Sequence, residues 1–184
     1  LFDAQDHLLT FDMSEYAEAH TVSRLLGAPP GYVGSEEEGR LIEAVRNEPF
    51  SILLFDEIEK AHPKIFDIFL PIFDEGRLKD SRGRIVSFRN CIIILTSNIG
   101  AQLNSESHGN GKQTELLNEL RNHFRPEFIN RIDDIVVFHP LLFEVIRAIL
   151  AIAIEELAGR LREKGIGVHV YQWEYVYLAQ QGYS

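Results

Sequence analysis

Short apolar runs that stop on polar residues recur along the chain and predict the strands of a buried sheet. The clearest is 52–55, four apolar residues followed directly by Asp56 and Glu57. An unbroken apolar run of this length is typical of a strand buried on both faces, as at the centre of a parallel sheet. Similar patterns predict strands at 8–12, 91–98, 134–138 and 168–170, and 91–98 is also expected to be buried on both faces.

Amphipathic stretches between these runs predict helices. Apolar residues recur at helical spacing in 21–26, 36–47, 63–75, 115–124, 141–164 and 173–181. Pro71 lies inside the third of these, so we expect that helix to kink or to end early. Residues 76–88 predict a hairpin with a polar turn near 80–83, and this segment carries a local cluster of basic side chains.

The order of these elements predicts the fold class and the domains. Strands alternate with helices up to about residue 139, which indicates an α/β fold with a parallel sheet flanked by helices. Mostly helical sequence follows. We therefore predict an α/β domain at 1–139 and a small, mostly helical C-terminal domain at 140–184.

Composition narrows the class of protein. The 184 residues carry 18 basic and 28 acidic side chains, a net charge of −10, which disfavours binding to nucleic-acid phosphates. The single cysteine, Cys91, is expected to be a buried strand residue; it excludes an internal disulfide and fits a reducing compartment. No apolar run approaches the ~20 residues that span a membrane, and we expect a cytoplasmic location.

The two acids after the apolar run are the strongest candidates for chemistry. The carboxyl ends of parallel strands form the edge where α/β sheets bind ligands. Asp56 suits a Mg²⁺ ion held together with phosphate oxygens, and Glu57 suits a base that aligns a water for attack on phosphorus. The alternative is that both are solvated acids that follow a core strand. These ten residues alone favour neither reading.

Six segments, taken in order, resemble the second ATPase module of the Clp-type AAA+ unfoldases, and most closely the ClpB-like disaggregases. The resemblance covers nearly the whole chain. Its carriers are DMSE (12–15), GAPPGYVG (27–34), LFDEIEKAHP (54–63), GRL (76–78), TSN (96–98) and FRPEFINRID (124–133).

The resemblance implies a role for each residue of an ATP site. It assigns Asp56 to Mg²⁺, Glu57 to water activation and Asn98 to sensing the γ-phosphate; the alternative for Asn98 is a capping or turn residue. Arg131 matches an arginine that reaches into the nucleotide site of the next subunit. Its alternative is a surface ion pair with Asp133 or Asp134.

The resemblance also implies a polypeptide-binding loop. Tyr32 and Val33 match a loop that lines the central pore of a hexamer and grips a polypeptide. An aromatic flanked by glycines can press on any side chain, which suits contact without sequence preference. The alternative is a turn tyrosine packed against its own domain. The basic hairpin around Arg82 is either a second pore ring or a solvated loop.

Several expected parts of such a module are absent from the sequence. The phosphate-binding pattern Gly-x-x-x-x-Gly-Lys-Ser/Thr does not occur. Residues 34–41 imitate it but place three acids where phosphate would bind. We expect the true loop shortly before Leu1 and a Gly-Ala-Arg sensor just past Ser184, so the 184 residues alone should bind ATP weakly or not at all. Residues 108–112 are polar where peptidase-binding members are apolar, which predicts that no peptidase docks.

Three functions therefore remain open. The resemblance implies an ATP- and Mg²⁺-dependent unfoldase that acts as a homo-hexamer on unfolded or aggregated polypeptide. A non-catalytic assembly piece that keeps the fold is the second. A nucleic-acid motor is the third, and the net charge of −10 argues against it.

Overall fold

The computed structural model describes residues 7–28, 31, 38–101, 112–139 and 141–181. The chain divides into two compact units, 1–136 and 137–184. The assignment of a large AAA+ subdomain to 1–139 and of a small one to 140–184 stays a prediction.

The first unit contains five strands, five helices and two short 3-10 helices among its described residues. The strands are β1 (Leu8–Asp12), β2 (Ile52–Asp56), β3 (Arg77–Lys79), β4 (Ile85–Ser87) and β5 (Ile92–Leu95). The helices are α1 (Val22–Leu26), α2 (Arg40–Asn47), α3 (Pro63–Glu75), α4 (Lys112–His123) and α5 (Pro126–Ile129), and the 3-10 helices are Met13–Tyr16 and Ile58–Lys60.

The main sheet is parallel, as the apolar runs predict. Its strand order is β1-β2-β5, and the register pairs Asp12 with Asp56 and Phe55 with Leu95. Leu53 and Phe55 are completely buried. The Phe55 ring stacks on Phe11 of β1 at 5.1 Å between centroids. The polar residues that follow β2 and β5 consequently lie at one edge of the sheet.

Helix α3 covers this core and continues through Pro71 to Glu75, so the predicted early end is wrong. Proline inside a helix costs about 3 kcal/mol. Packing offsets that cost, because Ile68, Phe69 and Ile72 on both sides of the proline are buried. Phe69 meets Phe55 edge-on at 4.8 Å. The helix ends at Gly76, which adopts the left-handed conformation.

Three strand predictions fail in part or entirely. Residues 134–138 and 168–170 form no strand; Val136 is 71% and Phe138 85% exposed, and neither segment pairs with a described strand. Apolar sequence alone does not make a strand when no neighbour accepts its hydrogen bonds. Strand β5 exists, but it covers only Ile92–Leu95, and Ile92 and Ile94 are exposed on one face of the sheet, so the prediction that it is buried on both faces is wrong. Cys91 precedes β5 and is half-buried.

The basic hairpin is confirmed. Strands β3 and β4 pair antiparallel, with Leu78 opposite Val86. Asp80 begins the turn: it is buried, and its Oδ1 accepts from the backbone N–H groups of Arg82 and Arg84 at 2.9 and 2.8 Å. Burial alone would raise the pKa of Asp80, but these bonds and the Arg84 guanidinium outweigh burial and hold its pKa below the ordinary value.

The second unit contains two helices in its described part, α6 (Phe143–Arg162) and α7 (Gln172–Gln181). They contact each other, and Ala179 of α7 is buried. Arg160 and Arg162 lie in the last turn of α6, where the helix dipole favours cations. Both helices were predicted from periodicity and are confirmed. No helix in the described parts of the chain is long and apolar enough to cross a membrane.

Gly39 occupies a position that only glycine fits. A Cβ atom there would lie 2.1 Å from the backbone carbon of Leu26 and 2.3 Å from the backbone nitrogen of Gly27. Gly27 forms an isolated antiparallel bridge with Glu38. This bridge joins the two residues that flank the segment 28–37. Next to it, Gly39 packs directly against the backbone of Leu26 and Gly27.

We predict that Gly39→Ala lowers the free energy of unfolding by the upper end of the ~1–3 kcal/mol typical of overpacking, because backbone atoms cannot move aside as side chains do. Urea unfolding followed by circular dichroism measures it. Gly159→Ala is the control, since that position in α6 has open space and alanine favours a helix. An unchanged midpoint in Gly39→Ala would show that the backbone approach is not close in solution.

Candidate functional site

Strands β2 and β5 bring their terminal polar residues together at the carboxyl edge of the sheet. Thr96 follows β5 and bridges the two acids that follow β2. Its hydroxyl donates to Oδ1 of Asp56 and accepts from the backbone N–H of Glu57 at 3.0 Å. One threonine thus fixes the carboxylate of the first acid and the backbone of the second.

Glu57 has a strained backbone. Its φ of 54° and ψ of 52° are left-handed, and it is the single non-glycine residue with positive φ in the described chain. This conformation costs a non-glycine residue about 1–2 kcal/mol. Backbone bonds to the neighbouring strand hold it, from Thr96 N–H to the Phe55 carbonyl and from Ile58 N–H to the Thr96 carbonyl, both 3.0 Å. Strain of this kind concentrates at functional sites.

The Glu57 carboxylate is held from both sides. The Asn98 side-chain amide donates to Oε1 at 3.1 Å, and the Lys60 ammonium contacts Oε2 at 2.5 Å. The bond to Glu57 raises the pKa of Lys60. The structure therefore brings Asp56, Glu57 and Asn98 together. The sequence reasoning missed Lys60, although its i,i+3 spacing from Glu57 on a turn was a signal that could have found it.

Asp12 ends β1 beside Asp56 but already has a local task. Its Oδ1 accepts from the backbone N–H and the hydroxyl of Ser14 at 2.9 and 2.6 Å, which caps the 3-10 helix that follows. These bonds lower the pKa of Asp12. Its carboxylate completes the acidic edge next to Lys60, which it also stabilises electrostatically.

Arg131 lies just past α5 and is tied to α3. Its Nε pairs with Oδ1 of Asp74, and its Nη1 donates to the Glu127 carbonyl at 2.8 Å. The bond to Asp74 raises the pKa of Arg131, and the same bond lowers that of Asp74. The side chain is 35% exposed. Arg131 therefore forms an ion pair, as the alternative predicted, but the predicted partners Asp133 and Asp134 are wrong, because the partner is Asp74.

Tyr32 and Val33 lie outside the described residues. The base of their segment is described: Glu38, the bridge partner of Gly27, accepts from Nη2 of Arg84 at 2.6 Å and pairs with Arg46. The Arg84 bond lowers the pKa of Glu38. Arg84 also donates to Asp80 at 2.6 Å. Charged groups thus connect the base of the segment 28–37 to the turn of the basic hairpin.

The donor groups at the edge suit Mg²⁺ and phosphate. Asp56 is exposed, and its Oδ2 accepts no hydrogen bond among the described residues. Mg²⁺ prefers one or two carboxylates together with water and phosphate oxygens. Asn98 and Lys60 supply N–H donors within the same cluster. The chemistry of these residues is therefore compatible with an Mg²⁺–nucleotide complex.

Comparison with known proteins decides the family. Residues 1–135 match the AAA domain (Cdc48 subfamily). The chain belongs to this family. AAA domains are ATPases, so the acidic edge of this AAA domain lies in a fold that binds nucleotide. The α/β fold class predicted from the sequence is confirmed.

Similarity extends over the whole chain in several bacterial chaperones. The AAA domain and the residues after it are 53% identical to the chaperone protein ClpB of Meiothermus ruber, 50% to that of Clostridium perfringens and 48% to that of Enterococcus faecalis. All of the chain is covered, but it spans 22% of the length of each relative. The resemblance to ClpB-like AAA+ proteins is confirmed.

Thr96 provides a test of the edge that needs no nucleotide. We predict that Thr96→Val destabilises the AAA domain by about 1–3 kcal/mol, because the Glu57 N–H and the Asp56 carboxylate lose their shared hydroxyl. Urea unfolding of Thr96→Val and Thr96→Ser measures this, since serine keeps the hydroxyl. Equal stability of the two variants would mean that the hydroxyl does not hold the edge.

Proposed function

We propose that this AAA domain hydrolyses ATP to unfold polypeptide, as part of a homo-hexameric chaperone. One observation carries the proposal: Thr96, Asn98 and Lys60 fix the two acids Asp56 and Glu57 at the carboxyl edge of a parallel sheet. The named ClpB relatives are chaperones, which supports protein as the substrate. Unfolded or aggregated polypeptide is the proposed substrate class.

Asp56, Glu57 and Asn98 each have a separate role in the proposed hydrolysis. Asp56 would hold Mg²⁺, and the bound metal would neutralise charge on the phosphate oxygens of ATP while the γ-phosphoryl group is transferred to water and ADP leaves. The Glu57 carboxylate, aimed by Asn98 and Lys60, orients the attacking water and accepts its proton. The Asn98 amide, which already donates to Glu57, is the group that responds to the γ-phosphate.

A neighbouring copy completes this site with Arg131. A trans arginine neutralises charge that develops on the transferred phosphoryl group. The partial exposure of Arg131 and of its ion-pair partner Asp74 supports this role. An exposed pair of this kind contributes little stability, so breaking it on contact with another subunit costs little.

The segment with Tyr32 and Val33 is the proposed contact with polypeptide. Two features of its base support this: the Gly27–Glu38 bridge and the Glu38–Arg84 pair both fix where the segment leaves the domain. Because Gly27 and Glu38 are held in place, a movement of the domain on ATP hydrolysis would also move the segment that carries Tyr32 and Val33. The hairpin turn near Arg82 is the proposed second contact, because Arg84 connects it to that base.

Tyr32→Ala tests the polypeptide contact. In the full-length protein that contains this chain, we predict loss of unfolding of a tagged substrate, while basal ATP hydrolysis remains within about twofold, because the aromatic ring serves grip and not chemistry. A fluorescent substrate and a coupled ATPase assay measure the two activities. Tyr32→Phe is the matched control and should unfold normally. Normal unfolding by Tyr32→Ala would remove this role.

The remaining partner proposals follow from charge and composition. The net charge of −10 supports a protein substrate over nucleic acid. Residues 108–112 are polar, which supports the absence of a docked peptidase. A cytoplasmic location is part of the proposal, consistent with a single cysteine, Cys91.

A further inference from the structure

A third acid of the same segment, Glu59, lies next to the proposed site formed by Asp56 and Glu57, and it has no role in the reaction described above. It belongs to the 3-10 helix Ile58–Lys60, directly after Glu57. Its Oε1 accepts a hydrogen bond of 3.1 Å from the backbone N–H of Asn98. Asn98 in turn donates from its side chain to Glu57. The Glu59 side chain therefore contacts the backbone of Asn98, the residue whose side chain orients Glu57.

The second oxygen of Glu59 distinguishes it from an ordinary surface acid. Its Oε2 is buried and has no hydrogen-bond partner among the described residues. Burying an unpaired polar atom costs free energy. Among the described residues, the side chain of Glu59 makes one hydrogen bond, the one from the Asn98 backbone. A residue that carries this cost for one contact is better explained by that contact than by stability.

The turn that carries Glu59 is itself anchored. Ile58 is buried, and its N–H donates to the Thr96 carbonyl at 3.0 Å. Lys60 N–H donates to the Glu57 carbonyl at 2.9 Å, which closes the turn. These contacts hold the backbone that carries the Glu59 side chain. A preorganised supporting residue of this kind keeps a reacting group within a fraction of an ångström of its productive position.

We propose that Glu59 is a positioning residue for ATP hydrolysis: it holds the Asn98 backbone so that the Asn98 amide faces Glu57 and the γ-phosphate. This inference rests on the proposed function of the site. Glu59 acts as a hydrogen-bond acceptor, and its charge is not required. The residue does not contact the reacting atoms.

Glutamine and alanine variants separate these properties. In Glu59→Gln the amide oxygen accepts the same bond from Asn98, and the new NH2 replaces an oxygen that has no hydrogen-bond partner in the described part of the chain. In the full-length protein, Glu59→Ala should lower kcat for ATP about tenfold with KM changed less than twofold, the effect of a slight misplacement of a catalytic group. Glu59→Gln should retain wild-type kcat. Glu43→Ala, on the exposed face of α2, is the matched control and should be wild type in both constants.

Hydrogen exchange provides a readout that does not depend on activity. The peptide that contains the Asn98 amide should exchange faster in Glu59→Ala than in wild type, because its N–H loses its acceptor. The same peptide should be unchanged in Glu59→Gln and in Glu43→Ala. This measurement needs neither ATP nor substrate, so it examines the Glu59–Asn98 contact even if the protein hydrolyses no ATP.

The outcomes separate the inference from the proposed function. The inference is supported if Glu59→Ala, but neither Glu59→Gln nor Glu43→Ala, shows a lower kcat for ATP and faster hydrogen exchange of the Asn98 peptide. Unchanged exchange in Glu59→Ala, normal kcat in that variant, or equal loss of kcat in Glu59→Gln would overturn it. A wild-type protein that does not hydrolyse ATP would instead overturn the proposed function, and the exchange rates would then decide whether Glu59 holds Asn98.

Discussion

Replacing Glu57 by glutamine should slow ATP hydrolysis by the full-length protein about 100-fold or more, the usual contribution of a positioned general base. The amide keeps the size of the side chain but has one acceptor oxygen, so it keeps either the bond from Asn98 or the contact with Lys60. The backbone bonds between this turn and Thr96 are unaffected and keep the edge of the sheet in place. The amide cannot take a proton from water. Nucleotide binding should therefore survive, and the variant should retain bound ATP.

The comparison for this variant is Glu43→Gln, the same chemical change at an exposed residue of α2. Single-turnover hydrolysis and nucleotide binding by fluorescence, measured on both variants, separate chemistry from affinity. Glu57→Gln that turns over at the rate of Glu43→Gln would remove Glu57 from the reaction. Weak nucleotide binding by Glu57→Gln would point instead to a structural role.

Replacing Arg131 by alanine should lower the rate of ATP hydrolysis about 10³-fold, because an arginine supplied to a phosphoryl-transfer site contributes a factor of about 10³ or more. The chain offers a close control. Arg125 lies at the start of the same helix and pairs with Asp67 of α3 at 3.0 Å, as Arg131 pairs with Asp74. Arg125→Ala removes the same charge and a similar ion pair.

Arg125→Ala should therefore keep ATP hydrolysis within a few-fold of wild type, and sedimentation should show the same oligomer for both variants. Equal losses in the two variants would mean that the pairs between α5 and α3 matter for structure only. Full activity of Arg131→Ala would exclude the arginine from the site.

Much of the edge was predictable because parallel strands align their ends. Where an apolar run stops on an acid or amide, the end of the run predicts where along the strand the polar side chain lies. The parallel register pairs Asp12 with Asp56. That reasoning located Asp56 and Glu57 at the edge, whereas Asn98 was assigned from the resemblance to the Clp-type ATPases. It relied on periodicity and on the position of the strand end, both of which are local properties of the sequence.

What the sequence could not supply were contacts between distant segments. Asp74 and Arg131 lie 57 residues apart, and nothing in the local pattern selects Asp74 over the neighbouring acids Asp133 and Asp134. The left-handed backbone of Glu57 depends on the hydroxyl of Thr96, 39 residues away. Exposure of Ile92 and Ile94 likewise depends on what covers that face of the sheet, which local hydrophobicity does not report.

Mixing two inactive variants tests the central claim most directly, that an acidic edge on one subunit and Arg131 of the next form one site. Glu57→Gln subunits keep Arg131, and Arg131→Ala subunits keep Glu57. In a ring with head-to-tail contacts, random mixing in equal amounts creates about a quarter of interfaces that hold both intact groups. We predict that ATP hydrolysis recovers to about that fraction on mixing. No recovery, with mixed rings demonstrated by mass spectrometry, would contradict the account, because every subunit would then need both residues in its own chain.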